Sequence, residues 1–345
     1  MAGIKIDIKT RGAIPDGVTD CSSIINAILI EGNYPYALNG RYIIHESMKF
    51  PSNSILYGKN AKIKLGDNCF DNLMRNADFT NGNYNIKIIG EGNFILDHNA
   101  VGNIDDLYTR YGKNGVNSYK YQTYAWSNVD DIEMVNINLC DCQHWQLYMQ
   151  RVTNSEFHHY YQNFYRLTPN QDGIDFGHGC NNIHIHHWRG HSSDDFVCYG
   201  IAAHADGGVR DSHWLEGDIH DIEMDHIVIY SAVNGSSCAL VVGEGRKLYN
   251  INHHDNRLIS AGTILYSSYG DVWFNVPPAI DDVHDLTFTD ITVDYNSRAA
   301  LFMFGDNCKN VLGVGIINNT AKNMFESDAA SQHNVVINGV DYSTP

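Results

Sequence analysis

No run of about 18 apolar residues occurs in this sequence, so it offers no transmembrane helix. The opening stretch, MAGIKIDIKTRG, has no apolar h-region, and no signal peptide is visible. The eight cysteines (Cys21, Cys69, Cys140, Cys142, Cys180, Cys198, Cys238, Cys308) lack CxxC spacing, which argues against a zinc site and for core thiols. Basic residues are scarce: 23 Lys and Arg stand against 40 Asp and Glu, for a formal net charge of −17. That charge repels nucleic acid and anionic membrane surfaces as partners. It also opposes a strongly anionic substrate unless basic residues gather locally. Two-residue hairpin signals are few, which argues against a sandwich or propeller.

What is present is globular. Hydrophobic residues make up 43% and charged residues 18% of the 345 positions, enough apolar side chains for a long core and too few charges for disorder. A short signature recurs, Asn or Asp followed by alternating apolar positions. It starts at Asn85, Asp131, Asn154, Asn182, Asp221, Asn250, Asp285, Asn310 and Asn334, with intervals of 46, 23, 28, 39, 29, 35, 25 and 24 residues. The shortest intervals define a unit of about two dozen residues; longer ones add an insertion. Such units cannot bury an apolar face alone and must stack. The pattern predicts an all-β chain, a right-handed parallel β-helix, with Ile183, Ile222, Ile251, Leu286 and Val311 in an inward ladder and coils about 4.8 Å apart.

An open end of such a solenoid exposes strand edges and needs a cap. Residues 20–30 supply a capping helix, with Asp20 as N-cap and Ile24, Ala27 and Ile28 as its apolar face. The pattern fails between Ala100 and Ser127, where Tyr108, Tyr111, Tyr119, Tyr121, Tyr124 and Trp126 cluster; this reads as a long loop. The organisation expected is a single domain over residues 1–345, with the cap in about 1–50 and the loop at about 100–127.

Several stretches resemble, in order, the polygalacturonase family of glycoside hydrolases, which has a pectin-lyase-like right-handed parallel β-helix. Gly12 to Ile28 resembles its N-terminal motif, which is shared with phage tailspikes. Ile88 to Asp97 (IIGEGNFILD) and Ile137 to Met149 (INLCDCQHWQLYM) resemble its glycine-rich stretch and the strand leading into a tryptophan. NQDGIDF from Asn170 and SSDDFV from Ser192 resemble its Asn-Thr-Asp-Gly-Ile-Asp and Gly-Asp-Asp-Cys motifs. Two later motifs depart. SCALVVGEG puts Cys238 where the family carries a histidine, and the stretch Gly262 to Ser268 lacks the family's Arg and Lys, a pair associated with substrate carboxylates. The resemblance implies hydrolysis of a polysaccharide other than plain polygalacturonate.

Asp172 precedes Asp194 by 22 residues and Asp195 by 23, one repeat, which puts the three carboxylates on neighbouring coils of one face. Glycosidic cleavage needs one carboxylic acid to protonate the leaving oxygen and, in the inverting mode, a carboxylate to activate water. The resemblance implies Asp194 as the acid and Asp172 with Asp195 as the pair holding water. Capping of turn N–H groups is the plainer role, expected of Asp16, Asp131, Asp221 and Asp285. Asp175 and Asn170 can either bond a sugar or complete the turn. Trp145 and the tyrosines between 108 and 126 suit stacking on sugar rings. His253 and His254 are candidates to replace the missing histidine. His184 and His186 can share a face by alternation, but no third ligand can be named; neither metal nor cofactor is expected. A lyase or epimerase on this scaffold would need an Arg or Lys base, and Arg189 and Arg210 are the arginines near the aspartates in sequence. A tailspike-type glycan-binding or depolymerising protein is the third reading. The expected partner is a polysaccharide or oligosaccharide, the chain a monomer or homotrimer, and its setting extracellular or on a virion.

Overall fold

The computed structural model describes residues 3–69, 71–103, 124–142, 145–164, 171–201, 217–232, 235–242, 246–260, 263–267, 282–296, 298–304, 308–327 and 332–343. Within them the chain is all-β, a right-handed parallel β-helix with one N-terminal α-helix. Two compact units make it up, Met1–Gln171 and Asp172–Pro345.

In the first unit, long parallel strands stack in sequence order: Tyr34–Ile44 on Ser54–Leu65, that strand on Asn83–Glu91 and Ile95–Asp97, and those on Tyr124–Cys140, which pairs with Leu147–Asn163. Register aligns Leu56, Ile88, Met134 and Phe157 into one inward ladder, all buried. The helix runs over Ser22–Ile30. Its buried face is Ile25, Ile28 and Leu29, one position away from the face expected, and Ala27 is exposed. Cys21 occupies the N-cap position without a side-chain cap, while Asp20 Oδ1, one residue further back, accepts the Ser22 N–H at 2.9 Å. The loop expected at about 100–127 ends sooner: Tyr124–Cys140 is a strand, in which Trp126 is fully buried against Phe50 at 5.8 Å between ring centroids. Tyr108, Tyr111, Tyr119 and Tyr121 lie outside the described residues, as does the side chain of Tyr124.

In the second unit the coils form three parallel ladders. The first holds Ile174–Phe176, Val197–Ile201, Cys238–Val242, Leu265–Ser267, Ala300–Phe304 and Asn323–Ser327. The second holds the first half of Asn181–Ser192, then Ile219–Asp225, Leu248–His254, Val283–Thr289, Cys308–Val314 and Gln332–Ile337. The third carries Arg189–Ser192 onto Val228–Ala232 and the short strands beyond it. The expected ladder Ile183–Ile222–Ile251–Leu286–Val311 is continuous in register and buried.

Each repeat start read from the sequence is a residue in left-handed backbone: Asn85, Asp131, Asn154, Asn182, Asp221, Asn250, Asp285, Asn310 and Asn334 all have φ between 51° and 62°. Most L-residues pay about 1–2 kcal/mol there, whereas Asn and Asp offset the strain with local hydrogen bonds. The bonds run from coil to coil. Asn310 Nδ2 donates to Asp285 Oδ1 at 2.8 Å, Asn334 Nδ2 to Asn310 Oδ1 at 3.0 Å, and Asn250 Nδ2 to Asp221 Oδ1. A second bend per coil uses the same conformation at His187, His226, Asp255, Asp290 and Asn338.

Candidate active site

The first ladder of the second unit positions the acidic residues. Ile174 and Phe176 point inward, so Asp175 between them points outward, opposite Cys198 on the next strand. Asp172 lies two residues before Ile174, and Asp195 two residues before its partner Val197. The Gly173 N–H bonds the Asp195 carbonyl at 3.0 Å, continuing the register past the strand ends. Asp172 and Asp195 therefore sit side by side on adjacent coils, with Asp194 next along the chain.

Asp172 is 6% exposed and Asp175 5%, and the two carboxyls share a hydrogen bond. Asp172 Oδ1 and Asp175 Oδ2 are buried with no hydrogen-bond partner among the described residues. Burial, and after it the charge of Asp175, pushes Asp172 well above the usual carboxylate range. Burial and the charge of Asp195 do the same to Asp175. Asp195 is pushed up to about 7, by burial first and then by Asp194. The Ser236 N–H, 2.5 Å from Asp195 Oδ1, and the Arg298 charge oppose that rise. Burial also pushes the Cys198 thiol up, so it is no thiolate nucleophile.

The turn aspartates behave in the opposite way. Asp16 takes N–H bonds from Val18 and Thr19, both at 2.8 Å, and is held low by them, the Thr19 bond foremost. Asp221 is held low by His220 and Asn250, and Asp285 by Asn310 and His284. Asp131 takes a left-handed turn position. Asp16, Asp221 and Asp285 are thus held low by the bonds they accept, whereas Asp172, Asp175 and Asp195 are pushed up by burial.

Gly235, not apparent from sequence, sets the position of the pair. A Cβ built on it would lie 2.1 Å from the Asp194 carbonyl carbon and 2.2 Å from the Asp195 nitrogen, so only glycine lets that backbone pass. Arg298 was missed too. Both precede strands of the acidic ladder, but intervals of 41 and 37 residues between paired positions (Val197 to Cys238, Leu265 to Phe302) hide the register.

Other sequence candidates fall elsewhere. Cys238 is in the inward ladder between Val197 and Leu265, a buried thiol that cannot meet a sugar. His253 is also inward, 4% exposed, with Nε2 2.9 Å from the Tyr199 hydroxyl; burial pulls its pKa down to about 3. Neither can replace a substrate-binding histidine, because strand alternation turns both into the core. His254 faces outward, but on the second ladder, paired with Asp225 rather than with the acidic strands. Trp145 stacks on Tyr148 in the first unit, at 5.5 Å and 26°. Arg189 is exposed at the start of the third ladder. Asn170 and Arg210 lie outside the described residues. Three groups in the second unit have donor atoms close enough to share an ion: Asp172, Asp175 and Cys198; His187, Asp225 and His226; and His184, Glu223 and Asp225.

No family profile matches the sequence. A segment of 118 residues, 33% of this chain, is 31% identical to the pre-neck appendage protein of Bacillus phage B103, and 99 residues are 35% identical to that of Bacillus phage phi29. The matched segments span 12% and 11% of those longer relatives. Among solved structures, an exopolygalacturonase from Thermotoga maritima aligns with TM-score 0.67 over 97% of this chain and 92% of its own, at 16% identity. The polygalacturonase of Erwinia carotovora aligns with TM-score 0.67 over 94% of each chain at 10% identity. The family GH82 iota-carrageenase of A. fortis aligns with TM-score 0.58 over 100% of this chain and 92% of its own at 12% identity. The chain thus has the pectin-lyase-like right-handed parallel β-helix fold of the polygalacturonases.

Proposed function

We propose that this chain is an inverting glycoside hydrolase whose working groups are Asp172, Asp194 and Asp195, with Asp175 as a fourth carboxyl in the same cluster. The observation that carries the reading is the burial of Asp172 Oδ1 and Asp175 Oδ2 without hydrogen-bond partners among the described residues, next to further carboxylates. Leaving such groups unpaired costs free energy, which a purely structural role would not retain.

Four carboxyls this close cannot all ionise, so the cluster retains a proton near neutral pH. Asp194 delivers it to the leaving glycosidic oxygen. Asp172 and Asp195, in register on adjacent coils, hold the attacking water, and Asp195 takes its proton. Asp175 keeps Asp172 protonated or hydrogen-bonded as the charge redistributes. Arg298 offsets part of the negative field. Among the described residues one arginine, Arg298, acts on the four carboxyls, which leaves little positive charge for an anionic polymer, so the substrate is a glycan with few or no carboxylates.

The test is digestion of a glycan panel followed by Asp194→Asn on the substrate found. Turnover should drop by at least about 10²–10⁴-fold with fold and binding kept, and a nitrophenyl glycoside, whose departure needs less protonation, should rescue Asp194→Asn but not Asp172→Asn. Near-normal turnover by Asp194→Asn on the polymer, or rescue of the Asp172 variant alone, would overturn these roles. Release of an unsaturated sugar would replace hydrolysis by lyase chemistry.

A second setting is favoured by the match to phage appendage proteins: the same site works on a surface glycan from a virion. Retention of glycan without turnover in any assay would reduce that setting to binding alone.

A further inference from the structure

We infer that the outward face of the second ladder in the Asp172–Pro345 unit is a binding site for a divalent transition-metal ion of the zinc type, held by His184, Glu223 and Asp225, with His254 beside it through its bond to Glu223. The site is separate from the carboxylate cluster and does not depend on the glycosidase reading.

The residues converge because of the register. Along Asn181–Ser192, Ile183 and Ile185 point inward, so His184 and His186 point outward. On the next coil Ile222 and Met224 are inward, and Glu223 and Asp225 outward; on the third coil Ile251 and His253 are inward, and His254 outward. Pairing places His184 opposite Glu223, and Asp225 opposite His254. Three consecutive coils thus offer two imidazoles and two carboxylates on one surface.

Distances already approach a coordination shell. His184 Nε2 is 2.5 Å from Asp225 Oδ2, and His254 Nε2 is 3.1 Å from Glu223 Oε1. The donor atoms of His184, Glu223 and Asp225 lie within 4.8 Å of one another. Ligands of one tetrahedral zinc stand about 3.3 Å apart, given bonds of about 2.0–2.1 Å, so small side-chain movements convert these hydrogen bonds into metal bonds. The pocket is also braced: Asp225, 7% exposed, gives its other oxygen to His226 Nδ1, the outer contact that commonly fixes a metal-binding carboxylate. His226 is itself stacked on His187 at 4.7 Å and 3° between planes. His184, at 39% side-chain exposure, leaves the site open to an ion from solvent.

The donor chemistry selects the ion. An imidazole nitrogen with two carboxylate oxygens, and a second imidazole next to them, suits zinc and its neighbours, whereas calcium and magnesium take oxygen-only shells. The histidines cannot be explained by need for surface charge alone, since simple His–Asp turn pairs such as His284–Asp285 supply the same contacts without converging on a third group.

The whole chain, stripped with chelator, should bind about one equivalent of Zn²⁺ in calorimetry and raise its melting temperature as Zn²⁺ is added. Co²⁺ in its place should give the intense visible spectrum of a four-coordinate site. His184→Gln and Asp225→Asn should each weaken Zn²⁺ affinity at least tenfold, while His284→Gln, on the same ladder, should not. His184→Gln changes an accessible side chain, so it stays informative if Asp225→Asn compromises folding. Absence of stoichiometric binding overturns the site. So does Zn²⁺ binding that survives His184→Gln and disappears in Asp172→Asn, because it would assign the ion to the carboxylate cluster.

Discussion

At the scale of single residues, the aspartates separate by their hydrogen bonds. Asp16, Asp221 and Asp285 are held low by the hydrogen bonds they accept, whereas Asp172, Asp175 and Asp195 are buried and pushed up. The second class makes a stability prediction. Burial, and after it the charge of Asp194, pushes Asp195 up to about 7 in the folded chain against a reference of 3.8. Between those values the folded state binds more protons than the unfolded state, so stability falls as pH rises through the window and the loss is complete above the folded value. Asp195→Asn should therefore melt higher than the parent at pH 8, by about 1–2 °C for each kcal/mol recovered, with the advantage gone near pH 4. Thermal melts across that range check it; a variant that gains nothing at pH 8 would show that Asp195 is not held in an unfavourable ionised state.

At the scale of elements, the site depends on how strands of the acidic ladder start. Gly235 lets one coil pass against the Asp194–Asp195 peptide, and a Cβ there meets backbone at 2.1 Å, not a yielding side-chain tip. Gly235→Ala must displace the pair by about 1 Å, and misplacement on that scale can cost roughly 10²-fold in rate. We expect such a loss of turnover on the responsive glycan, with an unchanged far-ultraviolet circular dichroism spectrum. Full activity would mean that the pair need not be held where it is. The capping helix is similar: its segment reads as helical, but packing against the strands it covers makes Ile25, Ile28 and Leu29 the buried face.

At the scale of the whole molecule, the net charge of −17 and the lack of basic residues in the stretch 262–268 bear on the substrate. Polygalacturonate should be cut poorly or not at all. Any residual rate should rise with added salt, because screening relieves repulsion between like charges. Reducing-end assays at low and moderate ionic strength decide the matter; efficient hydrolysis that salt suppresses would mean that attraction, centred on groups such as Arg298, outweighs the overall charge.

Much was legible in the sequence because a solenoid writes its geometry locally. The Asn and Asp repeat starts mark the left-handed bends, the apolar alternation fixes the ladder from Ile183 to Val311, and one repeat length between Asp172 and Asp195 already makes them neighbours. Insertions obscured the rest, because register across a gap of 41 residues is set by hydrogen bonding between coils and leaves no local signal. Tertiary structure alone therefore turned Cys238 and His253 into the core, put Gly235 against the Asp194–Asp195 peptide, brought the field of Arg298 to Asp195, and gathered His184, Glu223, Asp225 and His254 from three coils onto one surface.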